Sequence, residues 1–363
     1  MGFYRLARNM RFTPSGAAGV NTRAGYVARA SMTKLKLLFA NTIVSNSVGG
    51  WGATALPGGT MVINAVSIEY PAGTYTPVKF GGAAGVTIAD GGYVETDLTA
   101  IAIPAGAVFW IRTFCGANSL GTHGLVQSLS LPAGTSYTYA WSDSDLTAGG
   151  TISGNGWAVV PYVFGDVGAL PSIVCIGDSI SYGYNDGGAD EHRAGIIQRS
   201  IPEAAGSLNF AFPGKKFTDL IGSWASFVPW IIQKYATHVV GNLGANGYAS
   251  TAEATAFWGN AIFANARRIQ CTVTPKTTSS DSWASETGQT VTLDHSALNA
   301  LIKANAVGAH DFFDTNAALA LSATPTRWQF AGGPFTGDGL HPNTAGYTKV
   351  VTDGAITLSK LGL

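Results

Sequence analysis

Charged side chains are scarce in this sequence. Only 12% of its 363 residues are Asp, Glu, Lys or Arg, about half of the usual fraction. The 21 basic and 21 acidic residues also balance, so the formal net charge is zero. Nucleic acids and anionic membranes attract proteins with an excess of positive charge. We therefore predict that neither is a partner of this protein.

Cysteines are also few. The three of them, Cys115, Cys175 and Cys271, are widely separated, so they form neither a disulfide framework nor a metal-ligand spacing. Cys175 and Cys271 lie in apolar runs, where we expect small buried hydrophobic side chains. The sequence contains no His, Asp or Glu cluster with metal spacing and no glycine-rich phosphate loop. We predict no cofactor and no metal.

No apolar run approaches the length that crosses a membrane. The first residues, Met1 to Arg11, are too polar for the apolar middle of a signal peptide. We expect no membrane span and no export by the common secretory route.

The first part of the chain is rich in short strands punctuated by glycine clusters. The pattern predicts strands at residues 35–44, 61–70, 75–80, 93–96, 107–114, 125–131, 136–141 and 157–163. Many short strands with regular turns are typical of a β-sandwich, so we predict an all-β, jelly-roll-like accessory domain over residues 1–168. Trp51, Tyr70, Tyr75 and Trp110 are candidates for a sandwich core or for a sugar-binding face.

From residue 169 onward the pattern alternates strand and helix, as βαβ units require. The predicted strands lie near residues 173–176, 208–212, 238–243, 268–273 and 309–314. The predicted helices lie near 191–200, 217–235 (interrupted around Pro229), 252–266 and 293–306. Five parallel strands wrapped by helices predict an α/β domain over residues 169–363. The polar loop that begins at Pro275 follows a strand, so it is expected to border a substrate cleft.

The first of these strands ends in Gly177-Asp178-Ser179. In open α/β sheets the carboxyl edge of the strands is where ligands bind. A serine at this edge is well placed to act as a nucleophile. The same tripeptide is also ordinary turn chemistry, so this motif leaves both interpretations open.

The second motif is near the end of the chain, where Asp338 and His341 are three residues apart. One helical turn would place both side chains on the same face. A carboxylate beside an imidazole can fix the tautomer of the ring, which then accepts the proton of a serine. The alternative is a loop aspartate beside a surface histidine. The occurrence of both motifs in one domain favours the Ser–His–Asp interpretation.

With these motifs, residues 171–363 resemble the SGNH (GDSL-type) hydrolase superfamily. Two further blocks of that family have counterparts. Gly214 follows the predicted strand at 208–212, and Gly244 and Asn246 follow the strand at 238–243. Gly247 stands where the family usually has an aspartate. The resemblance does not extend to residues 1–170.

The resemblance implies a flavodoxin-like three-layer α/β/α domain and a serine esterase. Ser179 would be the nucleophile, His341 the general base and then acid, and Asp338 the residue that orients His341. The oxyanion would be held by the backbone N–H groups of Ser179 and Gly214 and by the amide of Asn246. The remaining histidines are expected to be structural, namely His123, His192, His238, His295 and His310. Asp281 and Asp294 are expected to be turn or capping residues.

The substrate is less constrained. A β domain ahead of an SGNH domain resembles the layout of some carbohydrate esterases and of modules on phage virion proteins. Both favour removal of O-acetyl groups from a glycan, at an extracellular or virion-associated location rather than a cytoplasmic one. One alternative is a short-chain carboxylesterase or lipid-ester hydrolase. An alternative of another class is a glycan-binding or virion structural protein with an inactive hydrolase domain. The sequence does not indicate the oligomeric state.

Overall fold

A computed structural model describes most of the chain. The described residues are 19–41, 43–44, 53–54, 59–116, 126–127, 135–187, 193–202, 205–220, 226–247, 251–330 and 333–363. Predicted features at Trp51, His123 and His192 lie outside them. The chain divides into two compact units. The first comprises Met1–Leu170 with the short pieces Glu203–Gly206 and Trp224–Val228, and the second comprises the remainder.

Sixteen strands are described in the first unit, and most of them are short. In chain order they are β1 (Val20–Val27), β2 (Met32–Ala40), β3 (Ile43–Val44), β4 (Ala53–Thr54), β5 (Met61–Ile63), β6 (Ala65–Glu69), β7 (Tyr75–Val78), β8 (Val86–Ile88), β9 (Tyr93–Glu95), β10 (Thr99–Ile103), β11 (Val108–Cys115), β12 (Val126–Gln127), β13 (Tyr137–Trp141), β14 (Gly154–Asn155), β15 (Trp157–Ala158) and β16 (Tyr162–Gly165).

These strands form two main sheets. One has six strands in the order β14-β13-β1-β11-β6-β7, and the other has the order β10-β2-β16 with β9 also paired to β2. The pairings are antiparallel. Leu35 and Leu37 of β2 lie in one buried cluster with Ile68 of β6 and Ile111 of β11, so the sheets share a core. The predicted β-rich, sandwich-like fold of the N-terminal region is confirmed.

Tyr75 and Trp110 are candidates for a sandwich core or a sugar-binding face. They lie on the face of the six-stranded sheet that points away from this core. The guanidinium of Arg23 sits 3.9 Å from the ring centre of Trp110, and that of Arg112 sits 4.8 Å from the ring centre of Tyr75. Both arginines bond the buried carboxylate of Glu69, each with Nε 2.7 Å from Oε2. Each of these two rings is therefore stacked by an arginine that also belongs to an ion-pair cluster.

The sequence pattern does not predict strand β1. Small residues at Ala24 and Gly25 weaken its apolar alternation, and its other face is polar. In the structure Ala24 lies in the core. Asn21, by contrast, donates from Nδ2 to the carbonyl oxygen of Ser144 at 2.9 Å. Pairing with β11 on one side and β13 on the other fixes this strand, and such long-range pairing leaves no local signal.

The second unit alternates strands and helices. Its strands are β17 (Ser172–Gly177), β18 (Gly206–Asn209), β19 (His238–Asn242), β20 (Arg267–Cys271), β21 (Lys276–Ser279), β22 (Gln289–Leu293), β23 (Asp311–Phe313), β24 (Ala320–Leu321) and β25 (Thr324–Trp328). Its helices are α1 (Ser179–Tyr182), α2 (Gly195–Gln198), α3 (Phe217–Leu220), α4 (Phe227–Tyr235), α5 (Thr251–Trp258), α6 (Ser296–Lys303), α7 (Thr315–Leu319) and α8 (Thr344–Thr352), with 3₁₀ turns at Ala261–Phe263 and Leu358–Leu361.

The central sheet has the order β18-β17-β19-β20-β23, with β19 parallel to β17 and to β20, and β20 parallel to β23. Every residue of β17 is buried, as expected for a strand covered on both faces. Counted by appearance, the order is 2-1-3-4-5, the flavodoxin-like order. The predicted α/β class is confirmed. In this order the switch point, where ligands bind, lies between the carboxyl ends of β17 and β19.

Two predictions about local structure are wrong. The helix predicted over 217–235 with an interruption around Pro229 is instead two helices, α3 and α4, and Pro229 lies inside α4. The residues 221–225 between the two helices lie outside the described part. The polar loop after Pro275 is in fact a hairpin, because β21 pairs with β22 in antiparallel register. Its Thr and Ser side chains suit a strand with one wet face, although they carry no apolar alternation.

All three cysteines are buried and free, and burial raises the pKa of the Cys115 thiol to about 12. Within the described ranges, no helix is long and apolar enough to cross a membrane. The same residues include no group of three or more His, Cys, Asp or Glu side chains placed to hold a metal ion.

Candidate active site

Ser179 lies at the switch point of the sheet. Strand β17 ends at Gly177, and Asp178 caps helix α1 by accepting the N–H of Ile180 at Oδ1, 2.9 Å away. The backbone N–H of Asp178 bonds the carbonyl oxygen of Asn242 at the end of β19. This tight strand-to-helix turn places Ser179 as the first helical residue, with only 5% of its surface exposed.

The carboxyl group of Asp178 is buried and only half satisfied. Its Oδ2 has no hydrogen-bond partner. Burial raises the pKa of Asp178 to about 7, against the lowering effects of the backbone N–H groups at the helix start and of the Lys276 ammonium. The residue before the serine is therefore an acid that changes charge near neutral pH.

His341 connects Ser179 to Asp338. Its Nε2 lies 2.8 Å from Ser179 Oγ, and its Nδ1 lies 2.7 Å from Asp338 Oδ2. An ionised carboxylate only accepts hydrogen bonds, so Nδ1 carries the proton and Nε2 presents its lone pair to the serine hydroxyl. All three side chains that the sequence singles out are thus brought into one hydrogen-bonded line.

The local geometry of the acid and the imidazole differs from the predicted helical turn. Residues 338–341 form a loop, and α8 begins only at Thr344. Asp338 Oδ1 accepts the backbone N–H groups of Leu340 and His341 at 2.9 and 2.8 Å, which folds the carboxylate back towards the ring. Burial raises the pKa of Asp338, but the N–H groups and the His341 ring outweigh it and hold that pKa below its usual value.

Thr336, which is fully buried, stabilises this loop through hydrogen bonds of its side chain. Its hydroxyl donates to the carbonyl oxygen of His341 at 2.8 Å and accepts the N–H of Gly339 at 2.9 Å. These two bonds, from Thr336 to Gly339 and to His341, fix the spacing between Asp338 and His341. Thr336 is not predicted from the sequence, because nothing there distinguishes it from other loop threonines.

The β21–β22 hairpin and strand β25 also hold this loop. The N–H of Thr277 donates to the carbonyl oxygen of Gly339 at 2.9 Å, and the indole N–H of Trp328 donates to the same oxygen at 3.1 Å. Gly339 has a φ of 80°, and a Cβ there would overlap the backbone of Thr277. Only glycine fits this close approach. The segment predicted to border a cleft therefore supports the Asp338–His341 loop.

The residues that follow α1 also reach this pair. Asn185 donates from Nδ2 to Asp338 Oδ2 at 3.3 Å, the oxygen that faces the His341 ring. The ring of Tyr184 lies beside the imidazole, with centroids 4.6 Å apart. Neither residue belongs to a motif in the sequence. Only the folded chain shows that residues next to the serine contact residues about 150 positions later.

The two other residues predicted for an oxyanion hole lie on loops that meet. Gly214 has a φ of 80°, and a Cβ built on it would face open space. Asn246 donates from Nδ2 to the carbonyl oxygen of Lys215, the residue after Gly214, at 3.2 Å. An asparagine amide has two N–H groups, so one of them fixes the side chain to the Gly214 loop and leaves the second for a ligand.

The structure also shows what holds the Asn246 loop where the family usually has an aspartate. The N–H of Gly247 donates to the carbonyl oxygen of Gly244 at 3.0 Å and closes a tight turn. The ammonium of Lys276, on the hairpin, donates to the carbonyl oxygen of Ala245 at 3.3 Å. Lys276 was not predicted for the site, because its approach depends on the hairpin.

The described histidines outside the Ser179–His341 pair do not contact it. His238 Nδ1 bonds the hydroxyl of Thr237, and His310 Nε2 bonds Arg268. His295 is buried, and neither of its ring nitrogens has a hydrogen-bond partner. Burial, together with the nearby charge of Lys276, lowers the pKa of His295 to about 4, so this ring is neutral at physiological pH.

Residues 175–349 match the GDSL-like Lipase/Acylhydrolase family. No curated protein matches the chain. Similar solved structures include a GDSL-like lipase from Bacteroides thetaiotaomicron, 16% identical, which covers 52% of this chain and 87% of its own at a TM-score of 0.34. A member of the lipolytic protein G-D-S-L family from Veillonella parvula is 20% identical, with 52% and 99% covered and a TM-score of 0.34. A family two carbohydrate esterase from Cellvibrio japonicus is 10% identical, with 99% and 94% covered and a TM-score of 0.33.

The family match covers the whole candidate site. It spans both the turn that carries Ser179 and the loop that carries Asp338 and His341. The resemblance predicted from the sequence is confirmed. The C-terminal region is therefore a domain of the GDSL-like lipase/acylhydrolase family, and the protein is an ester hydrolase.

Proposed function

We propose that this ester hydrolase removes O-acetyl groups from a glycan through an acyl-enzyme on Ser179. The observation that carries the catalytic part is the alignment of Ser179 Oγ, the His341 ring and Asp338 Oδ2, with separations of 2.8 and 2.7 Å. In this order a carboxylate orients an imidazole that accepts the serine proton.

In the proposed mechanism Ser179 Oγ attacks the ester carbonyl carbon while His341 Nε2 takes the hydroxyl proton. The negative oxygen of the tetrahedral intermediate accepts the N–H groups of Ser179 and Gly214 and the free amide N–H of Asn246. His341 then gives its proton to the departing alcohol, and the acyl group stays on Ser179. Water, activated by the same imidazole, releases the acid and restores the serine.

Several features support a glycan as the alcohol half of the ester. The sequence is nearly neutral and sparsely charged, which gives no attraction for anionic lipid surfaces. The catalytic acid is partly open to solvent, with 40% of the Asp338 side chain exposed. Beside it stand an amide and an exposed tyrosine, Asn185 and Tyr184. This mixed polar and aromatic surface suits a polyhydroxylated ring better than an alkyl chain. An extracellular or virion-associated location, as the sequence suggests, would bring the enzyme to such polymers.

The experiment compares Ser179→Ala with Ser181→Ala. Both hydroxyls lie in helix α1, but that of Ser181 bonds Asn242 instead of His341. We expect Ser179→Ala to lower kcat for p-nitrophenyl acetate by about four to six orders of magnitude, with an unchanged melting temperature, and Ser181→Ala to stay within about 10-fold of wild type. Unchanged turnover by Ser179→Ala would remove Ser179 as the nucleophile.

The substrate is tested separately with the wild-type protein. We expect acetate release from a panel of O-acetylated polysaccharides, and a decline in activity from p-nitrophenyl acetate to the octanoate. A preference for octanoate without any acetate release from polysaccharides would support a lipid-ester hydrolase instead. Absence of turnover on every ester would support an inactive hydrolase domain in a binding or structural protein.

A further inference from the structure

Tyr184 is a large aromatic side chain that the fold leaves in solvent beside the imidazole. It is 47% exposed, although most aromatic residues of this size bury their surface. Its ring centre lies 4.6 Å from that of His341, with the planes inclined at 45°. The tyrosine ring therefore packs against the imidazole at a tilt, and its exposed surface is available to a ligand.

The backbone holds this side chain in place. Left-handed residues flank it, with φ of 83° at Gly183 and 64° at Asn185. The N–H of Tyr184 donates to the carbonyl oxygen of Ser179, and its own carbonyl oxygen accepts the hydroxyl of Tyr347, each at 2.9 Å. Left-handed backbone at a non-glycine residue is strained and tends to occur at functional sites. Here it turns Tyr184 towards His341 and Asn185 towards Asp338.

This position has a defined meaning in the reaction. His341 Nε2 protonates the oxygen of the departing alcohol, so the alcohol half of the ester must lie against the imidazole. A ring packed on that imidazole lines the leaving-group side of the site. We propose that Tyr184 is the specificity-determining residue for the alcohol, and that it packs against the apolar face of a pyranose ring. This inference rests on the proposed function.

The surroundings of Tyr184 favour a sugar over an alkyl chain. A pyranose has C–H groups on its face and hydroxyl groups around its edge. The tyrosine supplies an apolar face, while the Asn185 amide and the partly exposed Asp338 carboxylate lie next to it and can bond hydroxyl groups. An alkyl chain would cover the solvent-exposed part of these polar groups without offering them a hydrogen bond, which disfavours its binding.

The test uses acetyl esters that differ only in their alcohol, so that the acyl-enzyme and its hydrolysis stay the same. The probes are a mono-O-acetylated methyl pyranoside, ethyl acetate and octyl acetate. An aromatic leaving group is avoided, because it could stack on the tyrosine itself. We expect Tyr184→Ala to lower the ratio of kcat/KM for the pyranoside to that for ethyl acetate by about 10-fold, chiefly through KM. Tyr184→Phe and Tyr184→Trp should restore most of the ratio.

The matched control is Trp141→Ala, which removes an aromatic residue of similar exposure (41%) from the first unit and should leave the ratio unchanged. An unchanged ratio in Tyr184→Ala would overturn the inference, and so would an equal loss for octyl acetate and the pyranoside, which would indicate an apolar-chain site. Failure of the proposed function would look different. In that case the wild-type protein would hydrolyse ethyl or octyl acetate but not the acetylated pyranoside.

Discussion

Two buried carboxyl groups, one in each unit, have opposite electrostatic surroundings. Glu69 in the sandwich bonds Arg23 and Arg112, and these partners outweigh burial and lower its pKa to about 2. Asp178 in the α/β unit has backbone N–H groups but no hydrogen-bonded cation, and burial raises its pKa to about 7. Burial is similar, since 3% of Glu69 and none of Asp178 is exposed.

The two units therefore use buried polar groups in different ways. In the sandwich, Glu69 and its arginines satisfy one another and the cluster stabilises the sheet. At the switch point, Asp178 Oδ2 is left without a hydrogen-bond partner, and the space where a Cβ of Gly214 would lie is open. Substitutions in the Glu69 cluster should therefore lower the free energy of unfolding and leave kcat unchanged. Substitutions at the switch point should lower kcat and have less effect on the free energy of unfolding.

The largest expected effect on stability is on the sandwich. Glu69→Gln leaves the buried guanidinium of Arg112 and the partly buried one of Arg23 without their anion, so we expect a loss of about 3–5 kcal/mol in the free energy of unfolding. The kcat of the molecules that remain folded should not change. Urea unfolding and p-nitrophenyl acetate assays on one preparation measure both. Asp353→Asn, which removes an exposed i,i+4 pair with Lys349, serves as control and should cost under about 1 kcal/mol.

Asn246→Ala should show the opposite pattern. In the proposed mechanism the variant loses an N–H that is used mainly in the transition state, so we expect kcat to fall roughly 100- to 1,000-fold, about 2.7–4 kcal/mol, with KM nearly constant. Steady-state kinetics and a melting curve decide the outcome. A normal kcat with a lowered melting temperature would mean that Asn246 only ties its loop to the carbonyl oxygen of Lys215.

The contributions of Asp178 and Glu69 to the free energy of unfolding should change in opposite directions as the pH rises. Below the folded pKa of about 7, native Asp178 keeps a proton that the unfolded chain releases near its model value of 3.8. Its contribution is therefore full below about pH 4 and is lost as pH rises to about 7, with a limiting slope of about 1.4 kcal/mol per pH unit. Glu69 contributes fully above its model value of 4.5 and loses that contribution as pH falls to about 2.

Asp178→Asn keeps an oxygen that can accept the Ile180 N–H, but it cannot ionise. The unfolding free energy of the wild-type protein minus that of this variant should fall by about 1.4 kcal/mol per pH unit from pH 4 to pH 7. Taking the difference removes the opposite slope that His295 contributes over the same range. The same slope in both proteins would show that Asp178 is ionised throughout this range.

The smallest expected effect is at Lys276. Lys276→Met removes the donor to Ala245 and the cation near Asp178, so we expect kcat to fall about 10-fold, or about 1.4 kcal/mol. Lys303→Met is the matched control, because that lysine pairs with Asp314 and is 44% exposed. Equal kcat values in the two variants would show that the Asn246 loop keeps its position without Lys276.

The parts predicted from sequence are those whose signal is local. The apolar run before Gly177 and the short spacing from Asp338 to His341 are each complete within a few residues, so the strand end and the acid–imidazole pair are visible in the sequence. Tyr184, Asn185 and Lys276 act across the fold. The positions of Tyr184 and Asn185 depend on left-handed backbone, and that of Lys276 depends on a hairpin whose Thr- and Ser-rich sequence does not predict strands.

The predicted helical turn at Asp338 fails for a related reason. An i,i+3 spacing fits a helix, but it also fits a loop in which a carboxylate accepts the N–H groups that follow it, as Asp338 does here. Aspartate favours such local bonds outside helices. The contact between the two side chains is therefore the same, although the backbone that produces it differs.

The three buried thiols make this protein a convenient subject for chemical labelling. Because reactivity needs the thiolate and access, the native cysteines should stay silent towards a maleimide while the fold is closed. A cysteine introduced at an exposed position, for example in place of Val351 with 36% exposure, would then carry a single dye without removal of the native residues. Conversely, the rate at which the native thiols become reactive reports how often each core opens. Cys115 reports on the sandwich, and Cys175 and Cys271 report on the parallel sheet.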